Sequence, residues 1–295
     1  MTDLHREITP TLSKVRANGL MHRVLTWGHE NTPTLLCAHG FLDHAWSFHF
    51  LAQHLVRRGL RVIAFDWRGH GESEWIGAGG YYYFPDYTLD LTELVPQITE
   101  GPFHLLGHSM GGTACAMWAS TRPEGLRSLI LCEGLGPPTS TESAPERLRS
   151  WVGSVERLRA KPPRPLSDIN DAIKRLRLQH PELDPEFARW VAEKSTRTLP
   201  DGTLTWCFDP LHRTNSPFPF RAEHLCALLA CIDVNTLIVT GSRGFRTSDH
   251  RDRVAAIPHA REVELEGATH MMHWHASAAL ARCVLDHLDS NESSK

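Results

Sequence analysis

One serine stands where a nucleophile would be expected. Residues 104–113 read HLLGHSMGGT, in which Gly107 and Gly111 lie two positions to either side of Ser109. The apolar residues before Ser109 predict a buried strand, and the sequence ACAMW after the turn predicts a helix. On so sharp a strand-to-helix turn the hydroxyl is exposed, and glycines leave room where strand and helix approach each other. This spacing predicts a nucleophilic hydroxyl, with the helix N-terminus offering backbone N–H groups to an oxyanion.

A histidine that could activate this serine occurs near the C-terminus. The segment GATHMMHWH begins at Gly267, directly after a strand pattern, and places His270 on a loop that can reach Ser109 across the strand ends. There it would act as general base and then as general acid. The run His270, His273, His275 could also suggest a metal, but it lacks cysteine or carboxylate ligands nearby, and at a helix start the three would point in different directions. We expect no metal and no cofactor.

The elements that must position these residues alternate in type. Strand patterns occupy 33–40, 60–66, 102–107, 126–132, 235–241 and 260–267. Helical periods occupy 45–58, 86–99, 109–121, 249–257 and 275–289. A hairpin signal precedes them, with an Asn-Gly turn between 11–17 and 20–27. This alternation predicts an α/β fold, with a mostly parallel sheet and helices on both of its faces.

Residues 137–221 break the alternation. They contain three amphipathic helical stretches and no parallel strand, and prolines bracket them at both ends. We predict a helical cap inserted into a core that consists of residues 1–136 and 222–295. The tryptophans and leucines of the cap indicate an acyl or aromatic group buried beneath it.

Four motifs, in this order along the chain, resemble those of the α/β-hydrolase superfamily, in particular its cap-bearing esterases and serine-hydrolase-like proteins. They are HGF at 39–41, DWRGHGES at 66–73, the GHSMG turn and the GATH segment that contains His270. The resemblance covers almost the whole chain outside the cap. It implies an α/β-hydrolase fold with a helical cap insertion.

The resemblance also implies roles for further residues. The backbone N–H of Phe41 and that of Met110, the residue after the nucleophile, would form the oxyanion hole. The loop at 66–73 is interpreted as structural, because its acid and arginine can tie neighbouring loops together. Most relatives carry the orienting acid after the next-to-last strand, where this chain has Gly244. Some members carry it one strand earlier, which is the place of Glu133.

Two carboxylates therefore compete to orient His270. Glu133 directly follows the strand LRSLILC, so the sheet would hold its backbone. Asp249 precedes a helical stretch, where capping is the ordinary role of an acid. Because rigid elements hold catalytic distances better than loops do, we favour Glu133 and keep Asp249 as the alternative. A third interpretation, in which Glu133 is only the first solvated residue after a core strand, stays open.

Composition narrows the class of protein. The 295 residues carry a formal net charge of −3 and no basic cluster with interleaved aromatics, so we expect no nucleic-acid partner. No apolar run has the length needed to cross a bilayer, so we expect no membrane partner. The seven cysteines lack metal-type spacing and are typical of buried thiols in a reducing compartment. We predict a cytoplasmic protein.

A serine nucleophile implies acyl transfer through a tetrahedral intermediate and an acyl-enzyme. The substrate would be a small acyl compound, with a carboxylic ester as the default. Thioesters, lactones and carbon-carbon bonds are alternatives, because related triads cleave all of them. A different class also stays open, a ligand-binding protein that keeps the fold without turnover.

Overall fold

The computed structural model describes residues 7–181 and 183–292. Its strands are β1 Thr11–Ala17, β2 Leu20–Trp27, β3 Thr34–Ala38, β4 Arg61–Phe65, β5 Phe103–His108, β6 Leu126–Cys132, β7 Thr196–Thr198, β8 Leu204–Trp206, β9 Asn235–Gly241 and β10 Ala260–Leu265. Its helices are α1 His49–Val56, α2 Asp86–Ile98, α3 Met110–Ala119, α4 Ala144–Ala160, α5 Ile169–Gln179, α6 Pro185–Ser195, α7 Ala222–Leu229, α8 His250–Ala255, α9 Met272–His275 and α10 Ser277–Glu292. Within the described ranges, none of these helices has the length and apolar content that crossing a bilayer requires.

Eight strands form one twisted sheet in the order β1-β2-β4-β3-β5-β6-β9-β10. The first three strands in that order pair antiparallel, and the remaining pairs are parallel. The hairpin β1–β2 turns at Asn18 and Gly19, which both have positive φ, as a two-residue turn of this kind requires. The predicted mostly parallel α/β sheet is confirmed.

Helices cover both faces of the sheet. Successive strand residues point to opposite sides, so a strand that is apolar throughout presents apolar side chains to both faces. Leu105 of β5 lies in the apolar cluster that contains residues of α2 and α3, and its neighbour Leu106 lies in the cluster that contains residues of α1 and α10. Both leucines are fully buried, and each such burial contributes roughly 1.5–3 kcal/mol. The sheet therefore runs through the middle of the core, with its strand ends free to carry the site.

The segment between β6 and α7 holds helices α4, α5 and α6, as the helical periods predicted. It also holds the two-stranded sheet β7–β8, which the sequence did not indicate because each strand is only three residues long. Helix α7 was missed as well, and lies directly after this segment. Residues of α5 and α6 form a third apolar cluster, which also takes in Trp274.

Candidate active site

Ser109 lies on a sharp turn between β5 and α3. Its backbone has φ +52° and ψ −120°, a conformation that residues other than glycine rarely adopt. The flanking glycines permit this turn, because a Cβ at Gly107 would lie 2.5 Å from Cα of Gly112. A Cβ at Gly111 would lie 2.3 Å from the carbonyl oxygen of His39. A larger residue at Gly107 would push α3 away from β5, and one at Gly111 would push α3 away from the end of β3.

The structure brings Ser109, His270 and Glu133 into one line of hydrogen bonds. Nε2 of His270 lies 3.0 Å from Oγ of Ser109, and Nδ1 of His270 lies 2.5 Å from Oε2 of Glu133. Because an ionised carboxylate can only accept, Nδ1 carries the proton and Nε2 presents its lone pair to the serine hydroxyl. The Glu133 side chain is 1% exposed and the His270 side chain 37% exposed. The arrangement can remove a proton from Ser109 and hold it on the imidazole.

The carboxylate of Glu133 is fixed by the strand beside it. Its Oε1 accepts a hydrogen bond of 2.9 Å from the N–H of Gly241, and its Oε2 accepts one of 2.8 Å from the N–H of Phe245. Burial by itself would raise the pKa of Glu133, but the hydrogen bonds from His270 and the two backbone N–H groups outweigh it and lower the pKa. The acid therefore stays ionised beside the imidazole.

The structure separates the two candidate acids. A Cβ placed on Gly244 would lie 1.6 Å from Oε1 of Glu133, so the carboxylate fills the space that a side chain at this position would need. The carboxylate of Asp249 instead accepts a hydrogen bond of 2.8 Å from Arg253 in the next turn of its own helix. Asp249 is not brought to His270, and Glu133 is.

The predicted oxyanion loop lies against the serine. A Cβ on Gly40 would lie 2.8 Å from Nδ1 of His108 and 3.2 Å from Cβ of Ser109, so a side chain at this position would crowd the serine turn. Nε2 of His39 accepts a hydrogen bond of 3.0 Å from the N–H of Trp67, which leaves Nδ1 to donate to the Gly40 carbonyl at 2.8 Å. Across the described residues, no hydrogen bond occupies the backbone N–H of Phe41 or of Met110. Both donors are available to a ligand at Ser109.

The sequence of this chain matches known proteins over most of its length. A family model described as "alpha/beta hydrolase fold" matches residues 33–277. The chain belongs to the α/β-hydrolase family. This α/β-hydrolase is 24% identical over 274 residues to a "Serine hydrolase-like protein" of Danio rerio, which covers 89% of this chain and 83% of that protein. Within the family, the chain is thus similar to serine-hydrolase-like proteins.

Two solved structures are similar to this α/β-hydrolase. The thioesterase domain from the curacin biosynthetic pathway superposes with a TM-score of 0.81 and 28% identity, over 94% of this chain and 99% of that one. An esterase from Mycobacterium tuberculosis superposes with a TM-score of 0.74 and 22% identity, over 95% of this chain and 92% of that one. At that identity the second likeness shows the fold alone.

The loop at 66–73 is hydrogen-bonded to the predicted oxyanion loop and the residues that follow it. Asp66 is buried and accepts hydrogen bonds from the N–H groups of Ala45 and Glu72 at 2.7 and 2.8 Å. Burial raises the pKa of Asp66 to about 7, although both hydrogen bonds act to lower it. Nε2 of His70, in the same loop, accepts from the N–H of Leu42 at 3.3 Å. These contacts are structural, in line with the interpretation of this motif.

The three histidines of the C-terminal run point to different partners. His270 contacts Ser109, Nε2 of His273 lies 3.2 Å from Oδ2 of Asp43, and Nε2 of His275 lies 2.6 Å from Oγ1 of Thr269. His273 instead belongs to a buried group with His108 and Asp43, whose potential ligand atoms lie within 4.8 Å of one another. Sequence reasoning missed Asp43 and His108, although each lies within two residues of a predicted site residue.

The segment at 137–221 packs against two of the site's loops. The apolar cluster of α5 and α6 includes Trp274, with Met271 packed against the cluster, and these two residues follow His270 within four positions. On the other side, Nε2 of His44 lies 2.8 Å from Oγ of Ser195 at the end of α6. Helix α4 differs, because none of its residues is fully buried.

Proposed function

We propose that this α/β-hydrolase cleaves carboxylic esters through a covalent acyl-serine intermediate. The observation that supports the proposal most directly is the line of hydrogen bonds from Ser109 through His270 to Glu133, with the serine on a strained turn. Residues held in such backbone conformations cost about 1–3 kcal/mol each, and they cluster at functional sites. We assign Ser109 as nucleophile, His270 as general base and acid, and Glu133 as the orienting acid.

The chemistry follows from these positions. Oγ of Ser109 attacks the ester carbonyl carbon while its proton moves to Nε2 of His270, and the carbonyl oxygen becomes an oxyanion. The N–H groups of Phe41 and Met110 stabilise that charge. When the tetrahedral intermediate collapses, His270 returns the proton to the leaving alcohol. Water then attacks the acyl-serine with the same base, and the carboxylic acid leaves.

The segment at 137–221 is proposed as the cap that selects the acyl group. It leaves the sheet just after Glu133, at the carboxyl edge of the strands, which is the edge where Ser109 also lies. Its cluster packs on Trp274 and Met271, so the cap and the loop of His270 share one apolar contact. Half-exposed Leu148 and Val152 on α4 offer apolar surface for an acyl chain.

A thioester is the second candidate substrate. It is favoured by the 28% identity and the TM-score of 0.81 to the thioesterase domain from the curacin biosynthetic pathway. The same attack and the same oxyanion hole serve both substrates, and only the leaving group differs. Parallel assays with matched acyl chains as aryl esters and as thioesters, compared by kcat/KM, decide between the two.

A fluorophosphonate probe tests the proposal, because it reacts only with an activated serine. We expect the probe to label the wild type. It should not label Ser109→Ala, and it should label His270→Ala much more weakly. Ester turnover should fall to a similar degree in both variants, and the double variant should be no worse, because members of one triad act as a unit. Full turnover in Ser109→Ala would contradict the proposed nucleophile.

A further inference from the structure

Three buried polar side chains lie beneath the proposed triad without being part of it. Asp43, His108 and His273 are 5%, 1% and 0% exposed. They come from three separate segments of chain, namely the oxyanion loop, the residue before the nucleophile and the helix after His270. Polar groups are seldom buried at this depth unless they bond to one another or to the backbone.

His108 joins the nucleophile turn to the loop of the base. Its Nε2 lies 2.8 Å from the backbone carbonyl oxygen of His270, and since a carbonyl can only accept, Nε2 must carry the proton. Burial, together with neighbouring His273 and His270, holds the pKa of His108 well below the usual range, so the ring is neutral. Ser109 and His270 are thus connected by a second contact, from the residue before one to the backbone of the other.

His273 joins the loop of the base to the oxyanion loop. Its Nε2 donates to Oδ2 of Asp43 at 3.2 Å, and Asp43 follows Phe41 by two residues. Burial would raise the pKa of Asp43, but the hydrogen bond from His273 and the nearby histidines outweigh it and lower the pKa. Asp43 is therefore an ionised acceptor.

The imidazole rings that make these two contacts also pack against each other. The ring centroids of His108 and His273 lie 4.3 Å apart, and those of His108 and His270 lie 4.8 Å apart. Nδ1 of His108 faces Gly40, where a Cβ would come within 2.8 Å of it. A shift of either imidazole would therefore move a neighbouring loop of the site.

We infer that Asp43, His108 and His273 are positioning residues that hold the oxyanion N–H of Phe41, the serine turn and His270 in register with one another. The inference rests on the proposed function and adds a second set of groups to it. Nucleophile, base and oxyanion donor lie on three loops, and the hydrogen bonds of the triad alone leave the oxyanion loop unconnected to the base. A misplacement of about 1 Å at such a site can reduce the rate roughly 100-fold.

Paired amide substitutions test this inference. Glutamine at position 273 or 108 can place an N–H donor near the position of histidine Nε2, whereas asparagine is too short to reach it. We expect His273→Asn and His108→Asn to lower kcat by about 10- to 100-fold with KM changed less than about twofold. His273→Gln and His108→Gln should stay within about threefold of the wild type, because the donor is restored.

A second readout does not depend on turnover. Hydrogen exchange of the folded full-length protein should become faster in segments 39–45 and 267–275 together in His273→Asn, and return to the wild-type rate in His273→Gln. Asp43→Ala combined with His273→Asn should be no worse than either change alone, because both break one contact.

The outcomes separate the two proposals. Wild-type kcat in both asparagine variants, or a loss that glutamine does not restore, would overturn the positioning role and leave the ester hydrolase untouched. The opposite outcome is also possible to observe: His273→Asn speeds exchange in segments 39–45 and 267–275 together, while the wild type neither turns over esters nor takes the fluorophosphonate label. That result would support the positioning contacts and contradict the proposed function. Where an asparagine variant unfolds, Asp43→Ala takes its place, because it removes the acceptor of His273. A loss of kcat in Asp43→Ala that Asp43→Asn restores would support the positioning role, and wild-type kcat in Asp43→Ala would overturn it.

Discussion

Three hydrogen bonds hold the carboxylate of Glu133, and its backbone has a left-handed conformation. Its φ is +48°, which for a residue with a Cβ costs about 1–2 kcal/mol. The N–H of Glu133 donates to the carbonyl of Val239 in β9 at 3.0 Å, so the neighbouring strand keeps the backbone in place. A carboxylate set so firmly leaves the imidazole of His270 little freedom to rotate away from Ser109.

Glu133→Gln is expected to reduce kcat for esters by roughly 10²–10⁴-fold, as loss of the acid does in a serine triad. An amide can bring an N–H₂ group against the N–H groups that now donate to the carboxylate, so the imidazole loses its orientation. Asp249→Asn is the matched control and should keep wild-type turnover, because Asp249 pairs with Arg253. Steady-state assays on both variants, with thermal unfolding to show that each is folded, check this. Normal turnover in Glu133→Gln would reverse the assignment.

The same carboxylate makes a prediction about pH and stability. The pKa of Glu133 is lower in the folded protein than its ordinary value of about 4.3, so its ionisation favours the folded state above that value. The contribution is lost as the pH falls through the folded pKa. We expect the difference in unfolding temperature between wild type and Glu133→Gln to be constant above about pH 5 and to shrink below about pH 4. A difference that grows on acidification would show that the sign is wrong.

At the scale of elements, the turn between β5 and α3 stores strain that the sheet and helix absorb. Glycine adopts the conformation of Ser109 without a Cβ penalty, whereas alanine keeps the penalty and loses the hydroxyl. Relief of about 1–3 kcal/mol exceeds the extra chain entropy of glycine, which is about 0.4–1 kcal/mol. We expect Ser109→Gly to unfold at a higher denaturant concentration than Ser109→Ala, with both inactive. Equal midpoints would mean that the turn is unstrained.

Two tryptophans in the segment at 137–221 have different surroundings. Trp190 on α6 contacts four aromatic rings, with its centroid 5.0 Å from that of Phe50 and 5.5 Å from that of His49. Trp151 on α4 contacts only Tyr81 among the described ring pairs, at 5.4 Å. From the sequence, the tryptophans of this segment were expected to cover an acyl or aromatic group, whereas the ring contacts of Trp190 indicate a role in stability.

Trp190→Ala is accordingly expected to lower the free energy of unfolding by about 2–4 kcal/mol, since it empties a packed site. It should change kcat/KM for short and long acyl esters in the same proportion. Trp151→Ala should shift the ratio of the two by at least about fivefold, because α4 buries none of its residues fully and can contact substrate. Leu178→Ala, at a side chain 74% exposed, is the control for both. Equal changes for every substrate in Trp151→Ala would remove α4 from the selection of the acyl group.

For the whole molecule, the proposed reaction uses only side chains and backbone of this chain. The proton stays on His270 and the negative charge meets backbone N–H groups, so no step requires a Lewis acid. We expect ester hydrolysis by the purified protein to be unchanged after dialysis against EDTA. The control is the Ser109→Ala variant treated in the same way. Activity that disappears in chelator and returns with zinc would show that a metal takes part, and the buried group of Asp43, His108 and His273 would then be the first place to look.

Local patterns in the sequence were enough for most of the elements and for the two residues that are proposed to react. The turn at Asn18 and Gly19, the strand β5 and the helix α3 all depend on neighbours in the chain, because steric limits and apolar periodicity act over a few residues. Ser109 and His270 were predicted for the same reason, since each lies in a motif whose glycines have a steric purpose. The fold followed from the alternation of these elements.

Other features were decided only when separate segments packed together. The sequence favoured Glu133 but kept Asp249 as the alternative. In the structure the carboxylate of Glu133 contacts His270 and fills the space above Gly244, on a loop more than 100 residues away in the chain, whereas that of Asp249 pairs with Arg253. The bond between Asp43 and His273 spans 230 residues and has no local signature. The short strands β7 and β8 pair only because the segment folds back on itself. Contacts of this kind depend on the distance between side chains in space, which a linear pattern does not contain. Backbone conformation and the periodicity of burial depend instead on residues that are close in the sequence.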